Sequence, residues 1–180
     1  MPFQSMRGVA ARYPAYSETL KRPIDLQGQI NHCRAGRQGA AALPPESPGL
    51  LALTVFAAHQ SRGMPVAGFD DSRLQASISN GKSLYEQRIG QLNFSCGNCH
   101  TDNAGKRLAG NAIPEAHPTG YPVYRLEWQS LGSLQRRLRN CMTGVRAEAF
   151  PYGSGELIDL ELYLMQRARG MAVETPAVRP

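Results

Sequence analysis

Apolar positions in this chain gather in a few short clusters with helical spacing. Residues 50–58 form the longest apolar stretch, with the length of a core helix. Leu84, Tyr85, Ile89 and Leu92 recur near a 3.6-residue period behind Ser79-Asn80-Gly81, which predicts a helix capped within that triplet. In residues 126–138, Leu131, Leu134 and Leu138 share one stripe, and Cys141 continues it. A last helix begins after Ser154 as N-cap, carries Leu157, Leu160, Leu164 and Met165, and stops at Gly170. No period-two alternation competes, so the predicted fold is all-α.

The second cluster leads into Cys96-Gly97-Asn98-Cys99-His100, a C-x-x-C-H motif. This is the attachment pattern of c-type haem. Two thiols three residues apart on one turn can bond the two vinyl groups on one porphyrin edge. The adjacent imidazole then lies under the iron. A redox dithiol would expect a βαβ context, which the pattern lacks. A zinc site would need a second Cys/His pair, but His117 stands alone and Cys141 has no close partner. Helix, haem motif, loop, helix and terminal helix is the order of a small cytochrome c.

The chain also repeats itself. At an offset of 108, Tyr13-Pro14-Ala15-Tyr16 recurs as Tyr121-Pro122-Val123-Tyr124, Leu26-Gln27 as Leu134-Gln135, and Cys33 as Cys141. After a one-residue slip, residues 47–64 align with 154–171, including both Arg-Gly-Met endings. Two amphipathic helices alike by chance would not also match a Tyr-Pro-x-Tyr and a cysteine in register. We read two related units. Residues 1–68 correspond to the back half of a cytochrome c-like domain, and residues 69–180 form the haem-binding domain. Subtraction places a first haem motif upstream of Met1, so the expectation is a fragment or a start assigned too far downstream. The N-terminus has no apolar segment of signal-peptide type. Cytochrome c maturation nevertheless happens outside the cytoplasm, so a periplasmic location is expected.

His100 supplies one axial ligand. Met142, Met165, His117 and Cys141 are candidates for the other. Methionine is the ordinary choice, but the repeat favours Cys141, because its counterpart is Cys33 while Met142 corresponds to Arg34. A Cys33–Cys141 disulfide is the structural alternative. Arg137 stands four residues before Cys141, on the same helix face. There it would hold a cation beside a thiolate and attract an anion. Arg136 and Arg139 are expected to face solvent or a partner.

Composition narrows the function. The net charge of +6 is mild and spread along the chain. That fits a small anionic substrate or an acidic partner better than nucleic acid. No run of 18 apolar residues encodes a membrane span. Gly and Pro are frequent, which suggests a loop-rich fold wrapped around a prosthetic group. Two other haem-based functions compete. A plain electron carrier would need Met142 or Met165 as ligand and no role for Arg137. A peroxidase-type cytochrome would need an open coordination site and more histidine than the four present.

The stretches MRGVAARYPAY, Cys33-Arg34, LLALTVFAAHQSRGMP, FSCGNCH and RRLRNCM resemble the A subunits of SoxAX cytochrome complexes, the L-cysteine S-thiosulfotransferases of sulfur oxidation. The resemblance runs over essentially the whole chain. It implies covalent haem c on Cys96 and Cys99, and iron ligation by His100 and by Cys141 as a persulfide. It further implies chemistry at Cys141 and substrate binding by Arg137. The implied partners are the monohaem SoxX subunit, the SoxYZ carrier and thiosulfate. The missing upstream motif is the departure. Cys33 would ligate a first haem in two-haem members, and otherwise be half of a disulfide or a free thiol.

Overall fold

The computed structural model describes residues 2–180. Its helices, in order, are α1 (Pro2–Met6), α2 (Leu26–Gln38), α3 (Pro48–His59), α4 (Gln75–Glu86), α5 (Cys96–His100), α6 (Leu134–Gly144) and α7 (Gly155–Arg167). Short strands lie between them. β1 (Ala15–Ser17) pairs with β2 (Arg22–Ile24), and β3 (Arg107–Leu108) with β4 (Asn111–Ala112). β5 (Val123–Arg125) pairs antiparallel with β6 (Ser130–Gly132) and parallel with β7 (Ala177–Arg179). The fold is therefore helix-rich with three small sheets rather than all-α. Strands of two or three residues are too short to write a visible period-two pattern.

Helix starts follow local chemistry. Asp25, Ser47, Ser133 and Ser154 each accept a backbone N–H three residues on, capping α2, α3, α6 and α7. Two expected boundaries move. α4 begins at Gln75, after a short 3-10 turn, so Ser79-Asn80-Gly81 lies inside the helix. Ile89 and Leu92 fall beyond its end, in the loop closed by the Ile89–Phe94 pairing. Residues 126–132 form a turn and β6, so Leu131 is on a strand and the α6 stripe starts at Leu134.

α7 is buried on most of its circumference and joins two cores. On one side, Leu162 packs with Ala11, Val66, Phe69, Leu74 and Val173, and Met165 leans on this group. On the other, Leu157, Leu160 and Leu164 pack with Tyr85 of α4, and Cys96 and Leu138 lean on that group. α3, by contrast, leaves Leu53 and Phe56 exposed at 40% and 43%.

Secondary structure and turns recur at the spacing of the sequence repeat. Both hairpin turns carry a residue with φ of 51°, Lys21 and Gln129. Equivalent segments also touch. Gly63 N–H donates to the Val173 carbonyl at 2.8 Å, and Gly170 N–H to the Val66 carbonyl at 3.0 Å. Val66 N–H donates to the Met171 carbonyl at 2.8 Å, and Val173 N–H to the Met64 carbonyl at 2.9 Å. The two Arg-Gly-Met ends thus face each other across a local two-fold, with Gly63 and Gly170 both at positive φ.

Two carboxyls are buried near this seam. Asp25 accepts Gly28 N–H at 2.8 Å and the Gln135 side-chain amide at 3.3 Å. Glu161 of α7 lies close by, also buried. Burial raises both above the usual carboxylate range, Glu161 well above it, and Asp25 pushes Glu161 further the same way. A raised folded-state pKa gives stability that is complete below the unfolded value and lost as pH rises through the folded value. Glu161→Gln mimics the neutral acid. It is expected to raise Tm above neutral pH and to flatten the fall in Tm with rising pH. Thermal melts between pH 4 and 8 check this, and parallel curves for the two proteins would refute it.

Candidate functional site

The site is built on two helices, α5 and α6. Ser95 caps α5, and Asn98 returns a bond to the Ser95 N–H, so the turn bearing the C-x-x-C-H motif is fixed at its start. The Gln87–Phe94 loop feeds this turn. Gly90 there has φ of +68°, and a side chain would collide with the Val145 carbonyl after α6. The motif is thereby tied to α6 through backbone, since Gln91 and Leu92 N–H groups also donate to the Arg146 and Val145 carbonyls.

His100 lies at the end of α5. Its Nδ1 is 2.7 Å from the Pro114 carbonyl, so Nδ1 donates and Nε2 is left as the lone-pair nitrogen. Such a bond fixes the tautomer and ring orientation of a ligating histidine. Burial lowers its pKa, with Arg137 and Arg167 adding to the effect, which favours the neutral, ligating form. Cys96, Cys99 and His100 sit half-buried on one turn, and no disulfide joins any of the four cysteines. The donor set fits haem c: two thiols at vinyl spacing and an imidazole with Nε2 available.

α6 brings Cys141 to this turn. Leu138 and Cys96 share one apolar cluster, and Cys141 follows Leu138 by three residues on the same face. The Cys141 thiol is pushed up by burial, pulled back by Arg137 and then Arg125, and raised slightly by Cys99 and Glu127. Cys96 is pushed up to about 11 by burial first and by Cys141 next. The three sulfurs thus lie within electrostatic reach of one another.

The other ligand candidates have the following surroundings. Met142 is buried in the interior. Met165 packs in the core on the far side of α7. His117 faces Glu115 at 3.7 Å. Cys33 accepts a bond from the Gln29 amide at 3.2 Å and pairs with no cysteine among the described residues.

The arginine cluster of α6 separates by use. Arg136 stacks on Trp128 at 4.4 Å and donates to Ser130 at 3.3 Å. Arg139 donates to the Ala149 and Phe150 carbonyls and stacks on Tyr152 at 4.5 Å. Each is thus half-buried against a neighbouring loop rather than fully turned to solvent. Arg137 forms no hydrogen bond or ion pair among the described residues, yet it acts on Cys141, His100 and Tyr121. Pro114, Arg125, Tyr121 and Trp128 were not legible as site residues. Only the repeated Tyr-Pro-x-Tyr pointed toward Tyr121.

No described helix is long and apolar enough to cross a membrane. The family model described as SoxA/TsdA, cytochrome c domain, matches residues 2–66 and 80–173. The L-cysteine S-thiosulfotransferase subunit SoxA of Pseudaminobacter salicylatoxidans is 41% identical over 97% of this chain and 62% of its own length. The protein of the same name from Paracoccus pantotrophus is 33% identical over 98% of this chain and 61% of its own. The chain therefore spans about three fifths of these relatives. The crystal structure of SoxXA from P. pantotrophus superimposes with a TM-score of 0.94 at 32% identity, covering 99% of this chain and 67% of that one. By motif, fold and these comparisons, the chain belongs to the SoxA/TsdA cytochrome c domain family.

Proposed function

We propose that this protein takes part in oxidatively joining thiosulfate to a carrier cysteine, with Cys141 as the reacting sulfur. The observation that carries the reading is the placement of Cys141 against the C-x-x-C-H turn, beside an arginine with no other partner among the described residues. The relatives' name, L-cysteine S-thiosulfotransferase subunit, supplies the reaction class.

The chain's residues divide the work. Cys96 and Cys99 would hold haem c covalently, with His100, oriented by the Pro114 carbonyl, as an iron ligand. Cys141 would be a second iron ligand, as a thiolate or a persulfide. When bound, the haem supplies a one-electron acceptor beside the sulfur. Arg137 holds the thiosulfate dianion at Cys141 by charge and hydrogen bonding. A soft sulfur at this position is a competent nucleophile. In the net reaction a thiol R–SH and S2O3(2−) give R–S–S–SO3(−), one proton and two electrons. The sulfur–sulfur bond formed is thus an oxidation, and the electrons leave singly toward a second cytochrome.

The partner for those electrons is a SoxX-type subunit, by analogy with the SoxXA structure that this chain matches, and the carrier is of SoxYZ type. Covalent haem requires maturation outside the cytoplasm, so the protein works in the periplasm. We also divide the chain into two related units, residues 1–68 and 69–180. The recurrent hairpins, caps and reciprocal Arg-Gly-Met pairing support this. The chain itself carries one C-x-x-C-H motif and hence one haem.

Intact-mass analysis of the matured, non-reduced protein tests the reading. The expected mass is that of the chain, one haem and one extra sulfur, with the sulfur mapping to Cys141 and lost on reduction. An unmodified, readily alkylated Cys141 would instead indicate a simple electron carrier.

A further inference from the structure

A cavity of about 90 Å³, room for about three waters, lies between the segments that the repeat relates. Its wall holds matched pairs, among them Tyr13 with Tyr121 and Leu26 with Leu134. At two such pairs a carboxyl breaks the symmetry. Asp25 stands where the other half has Ser133, and Glu161 where it has Thr54. Ser133 caps α6 as Asp25 caps α2, so a neutral oxygen suffices for the cap and the charge needs another explanation.

Asp25 and Glu161 are both buried, and neither forms an ion pair among the described residues. They share one donor. Gln135 of α6, itself buried, donates its amide to Asp25 at 3.3 Å and also hydrogen-bonds Glu161. Its oxygen accepts the Gly153 N–H at 2.8 Å, just ahead of α7. The other titratable groups around the cavity bring no compensating charge. Burial keeps Tyr13 and Tyr121 neutral, and Arg22 of β2 is exposed and weighs less on Asp25 than burial does. Two like charges beside one amide in a buried space exclude each other, so one proton stays with the pair. Asp25 also accepts the Gly28 N–H at 2.8 Å, which makes it the better carboxylate and leaves the proton on Glu161.

We infer that Asp25 and Glu161 hold a single proton between them, and that this proton is a latch on the first turn of α6. While it is present, Gln135 ties α6 to the cap of α2 and to the start of α7. When rising pH removes it, two carboxylates face each other across the amide. Water then enters the cavity to solvate them, and Gln135 is drawn away from Gly153. α6 carries Arg137 and Cys141, so the latch governs how firmly that helix is held. It is independent of the sulfur chemistry proposed above.

The test uses the matured, haem-loaded chain between pH 5 and 9. Infrared spectroscopy reads the protonated carboxyl. Amide hydrogen exchange, corrected for its intrinsic pH dependence, reads the Gly153 N–H. The expected result is one step in both. The carboxyl band that Glu161→Gln removes disappears as pH rises, and with the same midpoint Gly153 protection falls about tenfold, the worth of one hydrogen bond. The amides of α4 stay protected throughout, which separates the latch from general loosening. Glu161→Gln shows no step. Asp25→Asn keeps the cap of α2 and removes the repulsion, so the step moves to lower pH. A step at the wild-type pH in Asp25→Asn overturns the shared proton, because the two carboxyls then titrate independently. In the wild-type protein alone, loss of the band with level protection at Gly153 overturns the latch, whatever the variants do.

Discussion

Cys141→Ser is expected to lower thiosulfate turnover by about three orders of magnitude or more, while covalent haem is retained in full. The magnitude is that of removing a reacting nucleophile whose neighbours cannot replace it. The retention follows from the geometry. On the proposed reading, haem attachment depends on Cys96, Cys99 and His100, which are held by the Ser95–Asn98 capping box, the Pro114 carbonyl and backbone bonds to residues 145 and 146, none of which involves the Cys141 side chain. Serine is close in size to cysteine, so Leu138 keeps its packing on Cys96. A serine oxygen is a harder and weaker ligand than sulfur. The absorption spectrum should therefore move from a sulfur-ligated to a weakly ligated haem, at unchanged haem-to-protein ratio. Turnover close to wild type in this variant would remove Cys141 from the chemistry.

Gly81→Ala is expected to destabilise the protein by about 3 kcal/mol, despite placing a better helix former in mid-helix. α4 crosses α7 at Gly81, and an added Cβ would stand 2.0 Å from the Asp159 carbonyl oxygen and 2.6 Å from its carbon. Both are backbone atoms, so no rotamer change relieves the clash. The helices must part instead, and that contact includes the Tyr85–Tyr163 ring pair at 5.4 Å. Propensity returns at most about 1 kcal/mol. For a chain of this size the net loss corresponds to a fall in Tm of roughly 10 °C. Because Tyr85 also lies over the C-x-x-C-H turn, less haem should be attached per chain. A melting temperature equal to wild type would show that the crossing can widen without cost.

Gly81 also shows what a sequence carries and what it hides. A glycine behind Ser-Asn reads locally as a helix cap. Its real constraint is the backbone of a helix far along the chain, which no local pattern records. The haem turn was legible because covalent attachment needs two thiols and an imidazole at fixed spacing. Cys141 stood out as the proposed reacting sulfur because the chain repeats, so a second cysteine in register could be compared with it. Arg137 was placed beside it by helical spacing, and its proposed role also draws on the family resemblance. Arg136 and Arg139 read as facing solvent or a partner, and the structure half-buries each against a neighbouring loop. Their partners, Trp128 and the Phe150 carbonyl, come from loops that the sequence leaves unplaced. The strands were hidden for a related reason, being shorter than the period that would reveal them.

The reciprocal pairing of the two Arg-Gly-Met ends has a consequence for how the molecule can change. Each hydrogen bond there has a twin, so the seam behaves like the contact of a homodimer whose subunits happen to share one chain. A substitution on one side breaks a matched pair, whereas the same substitution on both sides can restore it. On the two-unit division proposed above, such a seam would hold the units in one fixed attitude whatever either of them binds.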